Sequence, residues 1–240
     1  MNPMRPNEAM TRRLEALQGR VAAACARAGR SADAVTLVAV TKGVAPELVV
    51  AACAAGVSQL GENRLQDAPE RMAAVRAAGL RPCWHFIGHL QRNKVRGVAA
   101  AFDAVDSVDS LALAERINAA ALSLGRRLPV LIQVNVAGDP AKHGLSPEAA
   151  PEIVDAIADL PGLAVEGLMT IVMNTRDEAL LRPAFARMTE LWDRLRLALP
   201  GPGWRRLSMG MSDDFELAVE MGATEIRLGR ALFDGLQTGA

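Results

Sequence analysis

The feature that most constrains this chain is a regular alternation of short β-branched runs with longer Ala/Leu-rich helical patterns. Strands that alternate with helices pair in parallel through right-handed crossovers. Eight β/α units of this kind close into a barrel. The sequence therefore predicts an α/β fold, a single (β/α)8 TIM-type barrel, with strands at Val35–Thr41, Val57–Leu60, Trp84–Gly88, Ala104–Val108, Val130–Asn135, Ala164–Met169, Arg206–Met209 and Glu225–Leu228.

The helical patterns indicate one domain that spans residues 1–240. An extra amphipathic helix, about Asn7–Ala28, precedes the first strand, so residues 1–30 are expected to pack on the barrel. A helix opened by Ser146-Pro147 is expected before Leu160, and a longer one at about Leu180–Leu199 carries a continuous apolar stripe. The Pro200–Gly203 segment predicts a break before the seventh strand.

A doubly wound open sheet is the alternative fold. That fold predicts a glycine-rich phosphate loop directly after the first strand. The sequence at this position, from Val40 to Val44, is Val-Thr-Lys-Gly-Val, and neither Gly-x-Gly-x-x-Gly nor the P-loop pattern occurs. The barrel is favoured for this reason.

Composition excludes several classes of function. The chain has 240 residues, 50% of them hydrophobic, and its 27 Lys plus Arg balance 27 Asp plus Glu. This balance predicts no binding to nucleic acid or to an anionic membrane. Cys25, Cys53 and Cys83 form no Cys-x-x-Cys pair, and neither a secretory signal nor a membrane-length apolar run is visible. These features predict reduced, buried thiols and a cytoplasmic protein.

Lys42 is the first candidate functional residue. In the predicted first strand Val38, Val40 and Lys42 share one face, and Lys42 stands at the carboxyl end. In barrels this end carries the active site. A partly desolvated lysine there favours the neutral amine that attacks an aldehyde. The alternative is a lysine that simply emerges into solvent.

The last two β/α units suggest a phosphate site. Ser212 follows the seventh strand as a candidate N-cap, and its hydroxyl could equally bond a phosphate oxygen. Gly229 and Arg230 follow the eighth strand, and Gly229 permits close backbone approach to a ligand. These two loops are where barrels most often bind phosphate, although two ordinary helix caps would give the same pattern.

Arg227 is predicted to point into the barrel, because Ile226 and Leu228 suit the helix-facing side of the last strand. A buried guanidinium needs an acceptor. That acceptor is either a ligand or a structural acid such as Glu62 or Glu166.

The chain is also identified by an ordered set of motifs. They occur in the order Thr41-Lys42, Gly61-Glu62-Asn63, His85-Phe86-Ile87-Gly88, Leu90-Gln91-x-Asn93-Lys94, Gly167-Leu168-Met169, Ser208-Met209-Gly210-Met211-Ser212-x-Asp214 and Ile226-Arg227-Leu228-Gly229. Together these motifs closely resemble the pyridoxal phosphate homeostasis protein family, whose fold is a barrel related to the N-terminal domain of alanine racemase. The resemblance spans about Val35 to Phe233.

The resemblance implies a role for each candidate. Lys42 holds pyridoxal 5'-phosphate (PLP) as an internal aldimine, that is, a Schiff base. Ser212 and the backbone of Gly229 and Arg230 bind its phosphate. Arg227 faces the pyridine nitrogen, where a cation disfavours protonation and weakens the ring as an electron sink.

The same resemblance places Asn63 beside the lysine, and Met169 and Met209 in the lining of the ring pocket. The chain departs from the family pattern at two places. Arg230 stands where a small hydroxyl residue usually follows the glycine, so one hydroxyl–phosphate bond is missing. Thr170-Ile171-Val172 replaces the usual Ala-Ile-Pro.

The implied function is a non-catalytic carrier that buffers PLP, serves vitamin B6 and amino-acid homeostasis, and passes the cofactor to PLP-dependent apo-enzymes. A racemase-like PLP enzyme is the alternative. Racemases of the related kind use a tyrosine as second base, and this chain contains 0 Tyr. A second domain is not expected after the eighth strand, and the protein is expected to be a monomer or weak homodimer. A cofactor-free phosphosugar enzyme with a Schiff-base lysine is a third reading.

The histidines show no metal-ligand spacing, so the sequence predicts no metal site. Structural or surface roles are expected for His85, His89 and His143. Lys142, in the loop after the fifth strand, matches a Lys-x-Gly position of the family and is read either as a solvated lysine or as a second phosphate contact.

Overall fold

The computed structural model describes residues 6–199 and 203–236. Eight parallel strands form a closed barrel in sequence order, which confirms the predicted fold. β1 closes the barrel by pairing with β8, with Val38 opposite Arg227. The strands are β1 Thr36–Val40, β2 Gln59–Glu62, β3 Cys83–Phe86, β4 Ala104–Val108, β5 Leu128–Gln133, β6 Leu163–Met169, β7 Arg206–Ser208 and β8 Glu225–Leu228.

Helices surround the barrel. They are α1 Pro6–Arg27, α2 Pro46–Ala54, α3 Ala68–Ala77, α4 Val95–Ala101, α5 Leu111–Ser123, α6 Ala150–Ala158, α7 Glu178–Ala198, α8 Phe215–Glu220 and α9 Arg230–Phe233. The apolar stripe of α7 is buried from Leu181 to Leu195, as its periodicity predicts. The helix expected at Ser146-Pro147 begins only at Ala150, after a turn in which Ser146 Oγ accepts from the Ala149 N–H.

The additional helix α1 packs against α2, α8 and α9. Arg20 pairs with Glu216 of α8 at 3.0 Å. Arg30, just beyond α1, donates to the carbonyl oxygens of Val219 and Ala223 at 2.5 and 2.8 Å. The helix therefore braces the last two β/α units, whose loops lie at the carboxyl end of the barrel.

The barrel interior is packed with side chains. Val38, Leu131 and Met169 are fully buried, and a Cβ on Gly61 would lie only 2.9 Å from Ile87 Cδ1. Such an interior leaves no pore, so ligands have access only at the ends of the barrel.

The amino-terminal end of the barrel is closed by a network of buried charges. His85 Nδ1 and Arg206 Nη2 each lie 2.8 Å from the same oxygen of Asp106. Arg206 Nε donates to Glu225 at 2.8 Å, and His85 Nε2 lies 2.8 Å from Gln59 Oε1. β2, β3, β4, β7 and β8 all contribute to this network.

The network shifts the pKa of His85 and of Asp106. Burial opposes charge on His85 most strongly, yet the charge and hydrogen bond of Asp106 outweigh it and raise the pKa of His85 to about 10. Burial likewise opposes the Asp106 carboxylate, but Arg206 and His85 hold its pKa below the ordinary value. Both groups are therefore ionised at neutral pH.

Three further predictions concern the chain as a whole. Cys25 and Cys53 are buried free thiols as expected, whereas Cys83 is partly exposed. Within the described residues, no helix is long and apolar enough to cross a membrane. The expected break at Pro200–Gly203 falls outside the described residues, apart from Gly203.

Candidate functional site

Lys42 lies at the carboxyl end of the barrel, two residues beyond β1, and is exposed. Thr41, the residue before Lys42, is held in place. Its side chain is buried and donates through Oγ to Glu62 Oε1 at 2.6 Å. Arg71 joins the same Glu62 oxygen at 3.1 Å and donates to the carbonyl of Val44 at 2.7 Å. The segment that carries Lys42 is therefore anchored on both sides, while its amine stays accessible.

A cavity of about 920 Å³ opens at this end, between the loops that follow β1, β6, β7 and β8. Five of the predicted site residues line it: Lys42, Ser212, Arg227, Gly229 and Arg230. A neighbouring cavity of about 410 Å³ is lined by Asn63 and again by Lys42. The barrel thus brings together residues that lie far apart in the sequence.

Arg227 is buried and points inward, as its alternation predicts. It donates to Ser208 Oγ at 2.7 Å and to the carbonyl oxygen of Thr170 at 2.8 Å. Within the described residues no carboxylate forms an ion pair with it, so the suggested pairing with Glu62 or Glu166 is wrong. Burial lowers the pKa of the Arg227 guanidinium, which is held by neutral acceptors alone.

Ser212 does not cap α8, contrary to the sequence prediction. The N-cap position belongs to Asp214, whose carboxylate accepts the Met211 N–H at 2.5 Å. Burial raises the pKa of Asp214. Ser212 instead turns toward α9, where its Oγ accepts the Ala231 N–H at 3.0 Å. A hydroxyl that accepts in this way can still donate its own hydrogen to a ligand.

Arg230 forms an ion pair with Asp213, which also accepts from Arg176 at 2.8 Å. The hydrogen bond from Arg176, with the added charge of Arg230, lowers the pKa of Asp213. The Arg230 guanidinium is largely exposed and lies at the rim of the cavity. Gly229 stands directly against β1, because a Cβ there would lie 3.4 Å from Val40 Cβ.

The methionines differ from the prediction. Met169 and Met209 are fully buried, and neither lines the cavity. Met209 packs in the core between barrel and helices. Met173, four residues after Met169, and Met211, two residues after Met209, line the cavity instead. Strand alternation could have indicated that Met209 faces the helices, since it follows Leu207 on the same face of β7.

Asn63 has a buried amide oxygen, Oδ1, without a hydrogen-bond partner among the described residues. Gly88 permits the close approach of its loop, since a Cβ at this position would lie 2.2 Å from the Asn63 carbonyl oxygen. An unpaired buried acceptor beside Lys42 is a group that a ligand could satisfy.

The remaining candidates lie elsewhere. Lys142 Nζ is buried 3.9 Å from Asp139 Oδ2. His85 belongs to the buried network at the opposite end, so its expected structural role agrees with its position. His89 and His143 are exposed, and their rings meet at the carboxyl end of the barrel.

Comparison with known proteins places this barrel in a defined class. The family model described as "Alanine racemase, N-terminal domain" matches residues 13–237. The solved alanine racemase of Clostridium difficile 630 superposes with a TM-score of 0.69 at 18% identity, covering 83% of this chain and 52% of the racemase. At that identity the likeness shows the fold alone, and the chain spans about half of the racemase.

Closer relatives narrow the class. A pyridoxal phosphate homeostasis protein of Pseudomonas aeruginosa is 42% identical over 221 residues, 92% of this chain and 93% of that protein. PipY of Synechococcus elongatus PCC7942, solved with PLP bound, is 32% identical with a TM-score of 0.81, covering 93% of this chain and 99% of PipY. This chain belongs to the pyridoxal phosphate homeostasis protein family.

Proposed function

We propose that this protein binds PLP in the 920 Å³ cavity and carries the cofactor without using it in catalysis. The observation that supports the proposal is the convergence of Lys42, Ser212 and Arg227 on this one cavity. Similarity to PipY, which was solved with PLP bound, supports the choice of ligand. We further propose that residues 1–240 form one PLP-binding domain.

The residues present fit the three functional groups of the cofactor. The accessible Lys42 amine suits the aldehyde, with which it condenses to a Schiff base and releases one water molecule. The Ser212 hydroxyl and the backbone at Gly229 and Arg230 suit the phosphate. Arg227 suits the pyridine nitrogen, because its guanidinium has more donors than its two neutral acceptors use.

Bound PLP supplies an electron sink for carbanion chemistry when its ring nitrogen is protonated. Arg227 opposes that protonation, because a guanidinium can only donate and keeps its charge. The cavity also lacks the tyrosine that serves as the second base in the related racemases, because the chain contains no tyrosine. Both features support a carrier rather than a racemase.

The exposure of the site supports the role of a carrier. Lys42 is exposed and the cavity opens to solvent along its rim of loops, so the cofactor can enter and leave. We propose that the protein buffers PLP, contributes to amino-acid homeostasis through cofactor supply, and donates PLP to apo-enzymes. We further propose that it does so in the cytoplasm.

The covalent link is tested by incubating the full chain with PLP, recording the visible absorbance band, and reducing with borohydride. We expect a yellow protein and, after reduction and peptide mapping, a PLP adduct on Lys42. Lys42→Ala removes the only proposed attachment point, so the band is lost. Lys94→Ala is the matched control, because Lys94 lines the neighbouring cavity and its loss leaves the band unchanged. A colourless wild-type protein contradicts PLP binding.

The carrier role is tested separately with the loaded protein. Incubation with the apo-form of a PLP-dependent enzyme is expected to restore that enzyme's activity. The loaded protein alone is expected to give no sustained racemisation or transamination of common amino acids. Steady turnover of any of them would overturn the carrier proposal and leave PLP binding intact.

A further inference from the structure

A cluster of two histidines and an aspartate lies at the carboxyl end of the barrel. His89 follows β3, Asp109 follows β4, and His143 lies in the loop after β5. The imidazole rings of His89 and His143 stack with their centroids 3.7 Å apart and their planes 10° apart. Three consecutive loops of the barrel therefore converge on one point.

Both histidines direct a nitrogen toward the same carboxylate oxygen. His89 Nδ1 lies 3.4 Å from Asp109 Oδ2, and His143 Nδ1 lies 3.9 Å from it. The three candidate ligand atoms all lie within 4.8 Å of one another. Ligands about 2.0–2.1 Å from a tetrahedral Zn²⁺ are themselves separated by about 3.3 Å. The cluster is thus within a small side-chain movement of coordination distance.

The side chains allow that movement. A metal ion binds in the plane of each imidazole ring, so the two stacked rings must turn apart about their Cβ–Cγ bonds. The side chains of His89 and His143 are 46% and 57% exposed, which leaves room for this rotation. The carboxylate is more firmly placed: Asp109 is 15% exposed, and the hydroxyl of Ser110 donates to its other oxygen, Oδ1, at 3.2 Å. Such a partner orients a carboxylate ligand.

The described residues form one other group of this kind, and its charges differ. His85, Asp106 and Glu225 also come within ligand distance of one another. The guanidinium of Arg206 bonds both of their carboxylates at 2.8 Å, so a permanent cation already fills that position. No arginine or lysine of the described residues forms an ion pair with Asp109.

We propose that His89, Asp109 and His143 form a binding site for a divalent transition-metal ion such as Zn²⁺. Two imidazoles and a carboxylate are a ligand set that zinc accepts, and three protein ligands leave a fourth position open. His89 also lines the cavity that Lys42 and Asn63 share at this end of the barrel. The site does not depend on PLP binding.

The test is calorimetric titration of Zn²⁺ into the tag-free full chain after chelator treatment, without added PLP. We expect one equivalent to bind and the thermal midpoint to rise with metal concentration. Co²⁺ in place of Zn²⁺ is expected to give visible ligand-field bands. His89→Gln and His143→Gln should each weaken affinity by more than the roughly 10–100-fold that loss of an outer-shell partner costs.

Controls separate this site from other causes. Asp139→Asn alters a carboxylate in the same loop as His143 and should leave affinity unchanged. Lys42→Ala should also bind the metal, which distinguishes failure here from failure of the PLP proposal. Because both histidines are exposed, the metal-free variants are expected to keep the wild-type circular dichroism spectrum. Absence of stoichiometric binding, or undiminished binding by both histidine variants, would overturn the metal site.

Discussion

The two ends of this barrel each contain a buried arginine, and their partners differ. At the amino-terminal end, Arg206 bonds Asp106 and Glu225, two carboxylates. At the carboxyl end, the described partners of Arg227 are Ser208 Oγ and a backbone carbonyl, both of them neutral. A buried ion pair compensates its own charges, whereas a cation held by neutral groups retains capacity for an anion or acceptor. Burial of charge therefore closes one end of the barrel and prepares the other for a ligand.

The largest effect is expected from breaking the closed end. Arg206→Gln leaves buried carboxylates without their cation, so the free energy of unfolding should fall by about 3–5 kcal/mol. Urea denaturation measures it. Arg205→Gln is the matched control on the preceding residue, whose side chain is 70% exposed, and it should cost less than about 1 kcal/mol. Equal losses in the two variants would contradict the difference in burial on which the comparison depends.

The closed end should also make stability depend on pH. The pKa of His85 is about 10 in the folded protein, above its ordinary value of 6.5. In the folded protein His85 therefore keeps a proton that the unfolded chain releases. The contribution of protonated His85 to the free energy of unfolding is fully present below pH 6.5 and is lost as pH rises toward 10. Between pH 6.5 and 8.5 the free energy of unfolding should fall by on the order of 1 kcal/mol per pH unit.

Urea denaturation at several pH values checks this slope. His85→Gln is expected to be less stable but to show a flatter profile over the same range. The buried Cys53, whose pKa burial raises to about 11 from 9.0, contributes mainly above this range. A slope that persists in His85→Gln would assign the pH dependence to other groups.

Arg227→Gln tests whether the buried arginine at the carboxyl end contributes to PLP binding. Loss of a charged hydrogen bond is worth about 1.5–3 kcal/mol, so PLP affinity should fall roughly 10- to 100-fold. The visible absorbance titration measures it. Arg187→Gln is the matched control, because Arg187 also donates to a backbone carbonyl, that of Val136 at 3.0 Å, but does not line the cavity. If both variants lose affinity equally, Arg227 acts through stability alone.

The smallest effect is expected at the rim of the open end. Arg230→Thr restores a small hydroxyl residue beside Gly229 and removes the pair with Asp213. We expect PLP affinity to rise by a few-fold, because one neutral hydrogen bond contributes about 0.5–1.5 kcal/mol. The rate at which bound PLP is released after dilution of the loaded protein provides a second measurement. Weaker binding would instead show that Arg230 contributes its charge to the phosphate.

Much of the fold was predictable because the alternation of strands and helices is a local property. The bounds of β4 and β8 were predicted correctly. β2 was placed two residues early, because Val57 has a high strand propensity whereas Gly61 and Glu62 do not. Those two residues join the strand through pairing with β3, and buried Glu62 is stabilised by Thr41. Tertiary contacts here override local preference.

The site was predictable where one residue's position followed from alternation, as for Lys42 and Arg227. It was not predictable where partners come from distant strands. His85 and Arg206 meet on Asp106, and His89 meets His143, only because the barrel closes. Neither meeting could be predicted from the spacing of these residues along the chain. The assignment of Ser212 as an N-cap failed for a related reason, because Asp214 competes for the same role two residues later.

The packing of α1 on α8 and α9 has a consequence for protein synthesis. The ribosome produces α1 and β1 early, yet their partners α8, α9 and β8 leave the exit tunnel late. At roughly 5–20 residues per second, the intervening chain takes on the order of ten seconds or more to appear. The loops proposed to hold the phosphate also belong to this late segment. A nascent chain therefore has Lys42 long before it has a complete pocket, and firm capture of the cofactor must await translation of the final β/α unit.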